Sequence, residues 1–262
     1  MYESLRVGVV VPAFNEERKL AATLNGIPDY VDNIVVVDDG SHDRTSVVAR
    51  RMVRPGLEVI RHPENRGVGA AVASGYRRAL DCGSDVVVVM AGDGQMDPAD
   101  LPTLLLPIAR GHADYVKGNR FARKEVWRTM PQLRLFGNIL LSLLTRPASG
   151  YWHLFDSQCG FTAATRQALS AIKLERIYPG YGYPNDLLAR LWVAGVRVID
   201  VPVRPIYGPL WRSGISLRTA IYPVLFVVVR SFVWRLFAAA FGRVSPSSGR
   251  NLFLASRGHD GN

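Results

Sequence analysis

Apolar residues in the first 120 positions come in short unbroken runs, and the segments between them repeat with a period near 3.6. The runs at 5–14 (LRVGVVVPAF), 31–40 (VDNIVVVDDG), 57–62 (LEVIRH) and 84–92 (SDVVVVMAG) predict four strands. Because they do not alternate with polar residues, they suit strands covered on both faces, as in a parallel sheet. Residues 15–27, 42–53 and 67–82 read as helices, and 98–111 as an imperfect helix interrupted by Pro102 and Pro107. Repeated βαβ units imply right-handed crossovers and a ligand at the carboxyl ends of the strands. The turns PAFNEE, DDGS and AGDG fall there.

After ADYVKGNRF (113–121) the rhythm changes to an apolar helix at 133–146, an aromatic loop at 149–161 (SGYWHLFDSQCGF) and an αβ piece from 183 that rejoins the sheet. The pattern predicts one α/β unit over 1–217, a helix over 218–243 and a polar, glycine-rich disordered tail over 244–262. The helix is long enough to span a bilayer, but Arg230 and Arg235 interrupt it. Each central arginine costs about 2.5–3.5 kcal/mol on insertion scales. Arg230, Ser231 and Arg235 share one arc against an aromatic and aliphatic remainder, so the helix is expected to lie in the membrane interface with its cations among the headgroups. The alternatives are packing on its own domain or pairing with a second copy as a homodimer.

Composition narrows the partners. The chain has 32 Lys and Arg against 22 Asp and Glu, a formal charge of +10 in 262 residues, which points to an anionic partner. Nucleic acid is not expected, since the arginines are dispersed and no recognition motif uses them. Cys82 and Cys159 stand alone, without metal or disulfide spacing, and suit a reducing compartment. The first residues read as a strand and not as a secretory signal.

Candidate chemistry sits at the strand ends. Asp38 and Asp39 in DDGS can accept from a base N–H or a ribose hydroxyl, although DDGS also reads simply as a turn and helix cap. PAFNEE follows the first strand without glycine, which argues against a dinucleotide fold. NRGVGAAVASG has Val72 where a GxGxxG pattern needs its third glycine, and reads as close helix packing, with Asn65 and Gly67 shaping a pocket. Asp93 and Gln95 are alternate oxygen donors in one turn. With a nucleotide diphosphate they could complete an octahedral Mg²⁺ or Mn²⁺ shell.

VVVPAFNEE, VVDDGSHDRT, NRGVGAAVASGYRRAL, DGQMDP and YVKGNRF occur in an order and spacing that resembles glycosyltransferase family 2 over about residues 6 to 217. The match is closest to the branch with dolichyl-phosphate mannose synthases and bacterial polyprenyl-phosphate sugar transferases. The resemblance implies a GT-A fold, a mostly parallel central sheet flanked by helices. Its nucleotide-sugar half would cover about 1–120 and its acceptor half 121–217. It also implies a divalent metal and inversion at the anomeric carbon. Carried over by position, Pro12, Phe14, Glu16, Val37 and Asp39 would line the base and ribose. Gly92 would allow close approach of the phosphates, and Asp93 and Gln95 would hold the metal and diphosphate. Arg120 and Arg134 would lie near the phosphates. Relatives often read Asp-x-Asp-x-Gln where this chain has Ala91-Gly92-Asp93-Gly94-Gln95, so weaker metal affinity is expected.

A hydroxyl acceptor needs a general base, whereas a lipid phosphate is already anionic and needs a cationic clamp. Arg120, Arg134 and Arg212 supply the clamp, Arg212 in a segment (YGPLWRSGIS) that resembles the branch's phosphate-recognition segment with looser spacing. Asp186 reads either as a base or orienting group, or as a helix N-terminal carboxylate. Asp156 reads as an acceptor-loop contact or a turn residue, and His153 as a loop surface residue. The leading expectation is transfer of a hexose or N-acetylhexosamine from a UDP- or GDP-linked donor to a polyprenyl phosphate, at the inner face of the cytoplasmic membrane. Transfer to a carbohydrate or small-molecule hydroxyl, with Asp186 as base, is the alternative. A lapsed nucleotide-binding protein is the third reading.

Overall fold

The computed structural model describes residues 1–206, 217–242 and 244, with the backbone alone at 128, 129, 133, 134 and 217–222. The first half runs β1 (Val7–Ala13), α1 (Leu20–Gly26), β2 (Asn33–Asp38), α2 (Thr45–Arg51), β3 (Leu57–Arg61), α3 (Val68–Asp81) and β4 (Val86–Val89). It continues with α4 (Leu101–Ala109), β5 (Tyr115–Asn119), α5 (Val126–Thr129), α6 (Gln132–Ser149), β6 (Thr162–Thr165), α7 (Arg166–Ser170), α8 (Tyr183–Val193), β7 (Val198–Pro202) and α9 (Leu217–Ala240). The expected tail, apart from 244, lies outside the described residues.

The strands form one seven-stranded sheet in the order β3-β2-β1-β4-β6-β5-β7. Pairing is parallel except on both sides of β6. Every residue of β1 and β4 is buried, as the unbroken valine runs require. One layer of core lies between the sheet and α1 and α4, through Leu20, Leu24, Leu101, Leu104 and Leu105. The other lies under α3 and α8, through Val72, Tyr76, Leu187 and Leu191. Strand order reverses between β1 and β4, which opens a crevice beyond their carboxyl ends.

Three local expectations change. β6 is Thr-Ala-Ala-Thr, a sequence with no strand periodicity; it is extended because β4 and β5 pair with it from either side. α4 is continuous: Pro102 sits in the first turn, where no N–H is required, and the helix carries Pro107 inside it. The helix expected from residue 15 starts at Leu20, because the preceding turn is bound elsewhere. There Asn15 has φ +56°, and the N–H groups of Asn15, Glu16 and Glu17 donate to Ser41 Oγ, Thr45 Oγ1 and Asp43 Oδ2 at 2.9, 2.8 and 3.2 Å.

α9 corrects the placement of its cations. Val224, Val227, Val228, Ser231 and Ala238 form a buried stripe against α6 and α8. Arg230 Nη2 donates to Asp186 Oδ1 at 2.8 Å, and Arg235 donates to the Pro147 and Ala148 carbonyls at 2.6 and 3.1 Å. Those carbonyls belong to the last turn of α6, where a cation is favoured. The polar arc thus turns toward the protein, and Phe226, Val229, Val233 and Phe237 face outward. Both cations are thus partnered within the domain.

Candidate active site

The end of the crevice beyond β1 and β2 is built by register. Pro12 pairs with Val37 across β1 and β2, and the Asp39 N–H donates to the Ala13 carbonyl at 2.9 Å. Pro12, Val37 and Asp39 therefore meet at the crevice, with Phe14 40% exposed at its rim against His42. The two aspartates of DDGS divide their work. Asp38, fully buried, accepts the Ser41 N–H and closes the turn. Asp39, 3% exposed, accepts from His62 Nδ1 at 2.6 Å, from the Arg66 N–H at 3.0 Å and from the Gly67 N–H at 2.8 Å. Gly67, at φ +95°, is required there because a Cβ would lie 2.5 Å from the Pro179 carbonyl oxygen.

Beside it lies the turn after β4, where the diphosphate is expected. The Gly92 N–H donates to the Pro12 carbonyl at 3.0 Å, and a Cβ on Gly92 would press on Leu20 and Ala13 at 3.1 and 3.2 Å. Gly94, at φ +69°, turns the chain so that Asp93 Oδ1 accepts the Gln95 N–H at 3.0 Å. Glu16 is close enough for its carboxyl to be raised above the usual range, chiefly by burial and further by the charges of Asp93 and Asp43, against the pull of Lys19. Asp93 and Gln95 are hard oxygen donors on one turn, which fits Mg²⁺ or Mn²⁺ as part of a shell. Among the described residues no three His, Cys, Asp or Glu side chains converge as a metal cluster.

The other wall of this cavity is cationic. Asp93, Gln95, Met96, Cys159, Arg120 and Arg204 line it. Arg120 is held by Asp156: its Nε and Nη2 donate at 2.7 and 2.9 Å, and its backbone N–H at 3.1 Å. Asp156 is 1% exposed. Burial pushes its carboxyl up, but the charge and hydrogen bonds of Arg120, with the charge of Lys117, outweigh burial and hold it below the ordinary aspartate range. Such a group contributes its stability above the unfolded-state pKa, and loses it as pH falls through the depressed folded value. Asp156→Asn is expected to lower stability at pH 7 by about 3 kcal/mol and to flatten the acid limb of a Tm-versus-pH curve. An unchanged acid limb would show that the pair carries no such linkage.

Sequence reasoning missed two residues here. Arg204 reaches the cavity because the Ile206 N–H donates to the Gln95 carbonyl at 2.9 Å, and its Nε donates to Asp97 at 3.1 Å. Tyr181 lies near both Asp93 and Glu16, whose charges add to burial in raising its phenol. Its loop is carried in by the Pro179 carbonyl, which accepts the Gly69 and Ala70 N–H groups at the start of α3. The glycine-tyrosine alternation of 180–183 was the available signal.

Asp186 sits apart from this cavity's lining. Its Oδ2 accepts from Arg190 Nε and the Tyr178 N–H at 2.7 and 3.0 Å, and its Oδ1 from Arg190 and Arg230 at 3.3 and 2.8 Å. All four lone-pair positions are taken. His153 donates to or accepts nothing at the site; its Nε2 lies 2.7 Å from the Val198 carbonyl. Arg134 lies on α6, with its side chain outside the described part, and Arg212 lies outside the described residues.

Comparison with known proteins gives the family. Residues 8–173 match the family model described as Glycosyl transferase family 2. The chain is 28% identical over 214 residues to the UDP-N-acetylglucosamine–dolichyl-phosphate N-acetylglucosaminyltransferase of Methanococcus voltae, covering 76% of this chain and 85% of that one. It is 33% identical over 217 residues to the undecaprenyl-phosphate mannosyltransferase of Micrococcus luteus, covering 81% and 88%. A crystal structure of glucosyl-3-phosphoglycerate synthase from Mycobacterium tuberculosis, in complex with Mn²⁺, UDP and phosphoglyceric acid, superposes with a TM-score of 0.65. That pair shares 21% identity over 88% of this chain and 78% of the other, a likeness of fold. With its GT-A sheet and a family match running through the turns that follow β1, β2 and β4, the chain belongs to glycosyltransferase family 2.

Proposed function

We propose that the protein transfers a hexose or N-acetylhexosamine from a nucleotide-diphosphate sugar to a polyprenyl phosphate, with inversion at the anomeric carbon. Residues 1–120 would hold the donor and 121–217 the acceptor. One observation carries the choice of acceptor: the candidate base Asp186 is saturated by four donors, while Arg120 and Arg204 line the cavity beside Asp93. An acceptor that arrives ionised needs cations and no base. The names of the dolichyl- and undecaprenyl-phosphate relatives support the same class of acceptor.

In this reading an oxygen of the lipid phosphate attacks the anomeric carbon from the face opposite the leaving group. The bond from that carbon to the donor's β-phosphate oxygen breaks, and the nucleoside diphosphate departs with the electron pair. No proton has to move. Asp93 and Gln95 would hold Mg²⁺ or Mn²⁺, which offsets charge on the diphosphate. Pro12, Phe14, Glu16, Val37 and Asp39 seat the nucleoside, and Gly92 lets the phosphates approach the backbone. Asp156 aims Arg120 at the acceptor side, and Arg134 and Arg212 would add to that clamp. The test is a donor screen with radiolabelled UDP-glucose, UDP-N-acetylglucosamine and GDP-mannose, with and without divalent metal. Label should enter the organic phase only when polyprenyl phosphate is present; water-soluble product alone would sink the proposal.

The acceptor's tail calls for an apolar surface. The outward face of α9 carries Phe226, Val229 and Phe237, and α6 beside it exposes Phe136, Leu140 and Leu143. We take this face to rest on the inner surface of the cytoplasmic membrane, flat and not as a span, because Arg230 and Arg235 are committed to the domain. Full-length protein is expected to co-sediment with vesicles containing phosphatidylglycerol. The Phe226→Glu, Phe237→Glu double variant should bind about tenfold or more weakly. If instead the wild type is a homodimer that this variant separates, without any vesicle binding, a second copy covers the face.

A further inference from the structure

Asp39 faces the base in the reading above, and its existing hydrogen bonds limit which base edge it can take. Both lone-pair positions of Oδ1 are occupied, by His62 Nδ1 at 2.6 Å and by the Arg66 N–H at 3.0 Å. Oδ2 accepts the Gly67 N–H at 2.8 Å, which leaves one position on that oxygen among the described contacts. The His62 contact has a defined direction. Its Nε2 lies 3.0 Å from Ser74 Oγ, whose hydroxyl can donate to it, so the tautomer with the proton on Nδ1 satisfies both neighbours. His62 is 4% exposed and Asp39 3%, so bulk water does not compete for these bonds.

We infer that His62 makes Asp39 a single-acceptor site, and that the enzyme therefore selects a uracil base over guanine. This rests on the nucleotide-sugar reading of the crevice. Uracil presents one ring N–H between two carbonyls, and the open position on Oδ2 meets it. Guanine presents a ring N–H and an adjacent amino group, a pair that calls for both carboxylate oxygens. With Oδ1 taken, one guanine donor loses its carboxylate partner in a desolvated pocket, which is costly. His62 touches no substrate in this scheme; it acts through Asp39 as a positioning residue.

The test is equilibrium binding of UDP and GDP to the full chain in one Mg²⁺ buffer, with no acceptor present. The wild type is expected to bind UDP about tenfold or more tightly than GDP. His62→Ala frees a position on Oδ1 and should pull the UDP:GDP affinity ratio toward one. His62→Asn places an amide N–H near the Nδ1 position and should keep the ratio near the wild-type value. A merely structural histidine would weaken both nucleotides alike and leave the ratio where it was. That result, or a wild type that binds GDP as tightly as UDP, overturns the inference. Lipid transfer is not read in this assay, so a failure of base selectivity leaves the acceptor reading standing. A failure of organic-phase labelling likewise leaves base selectivity intact.

Discussion

Asp93→Ala is expected to lower kcat by about a thousandfold, with the fold intact and UDP affinity in the absence of metal little changed. Asp93 is the one carboxylate on the AGDGQ turn, and its Oδ1 already organises that turn through the Gln95 N–H. Removing it takes away both the shape of the turn and the carboxylate that would hold a divalent ion against the diphosphate. Single-turnover rates with saturating donor and acceptor provide the check; a loss of less than tenfold would mean that the diphosphate is stabilised from elsewhere, for example by Arg120 and Arg204. The same turn predicts weak metal binding without nucleotide, because Ala91 stands where relatives often carry a carboxylate. Ala91→Asp should tighten Mn²⁺ binding by about tenfold, in line with the value of a charged ligand. Titration of Mn²⁺ followed by electron paramagnetic resonance measures this directly.

Asp186→Ala is expected to act on stability and not on the chemical step. The carboxylate joins Arg190 of α8, Arg230 of α9 and the Tyr178 N–H. Its removal leaves Arg190 largely buried and unpaired, which costs about 2–4 kcal/mol; the upper part of the usual range is discounted because Arg230 is 42% exposed. Tm should fall by several degrees, and vesicle binding should weaken as α9 loses its tether. kcat per folded molecule at low temperature should stay within a few-fold of wild type. A general base behaves in the opposite way, with a loss of a hundredfold or more at unchanged Tm, so one variant separates the lipid-phosphate reading from the hydroxyl reading.

The parts of the site legible in the sequence are those where a strand runs straight into its turn. The valine runs placed the ends of β1, β2 and β4, and hence Pro12, Asp39 and Asp93, on one edge of a sheet. Backbone register then brings them together with little further freedom. Arg204 was not legible, because it arrives through a bridge between Met96 and Pro205, residues more than a hundred positions apart. Tyr181 was hidden in the same way, since its loop is positioned by a carbonyl bound at the start of α3. β6 carries no pattern of its own and is a strand only by virtue of its two neighbours.

By itself the sequence determined the α/β class, the strand-end turns and the family, because buried parallel strands and glycine-dependent turns restrict residue choice locally. Only the tertiary structure decided what the charged groups do. It turned Arg230 and Arg235 inward, tied Asp156 to Arg120, filled every acceptor position of Asp186 and fixed Asp39 with His62. A charge inside a protein takes whichever counter-charge or dipole the fold brings within about 3 Å, and spacing along the chain carries no record of that distance.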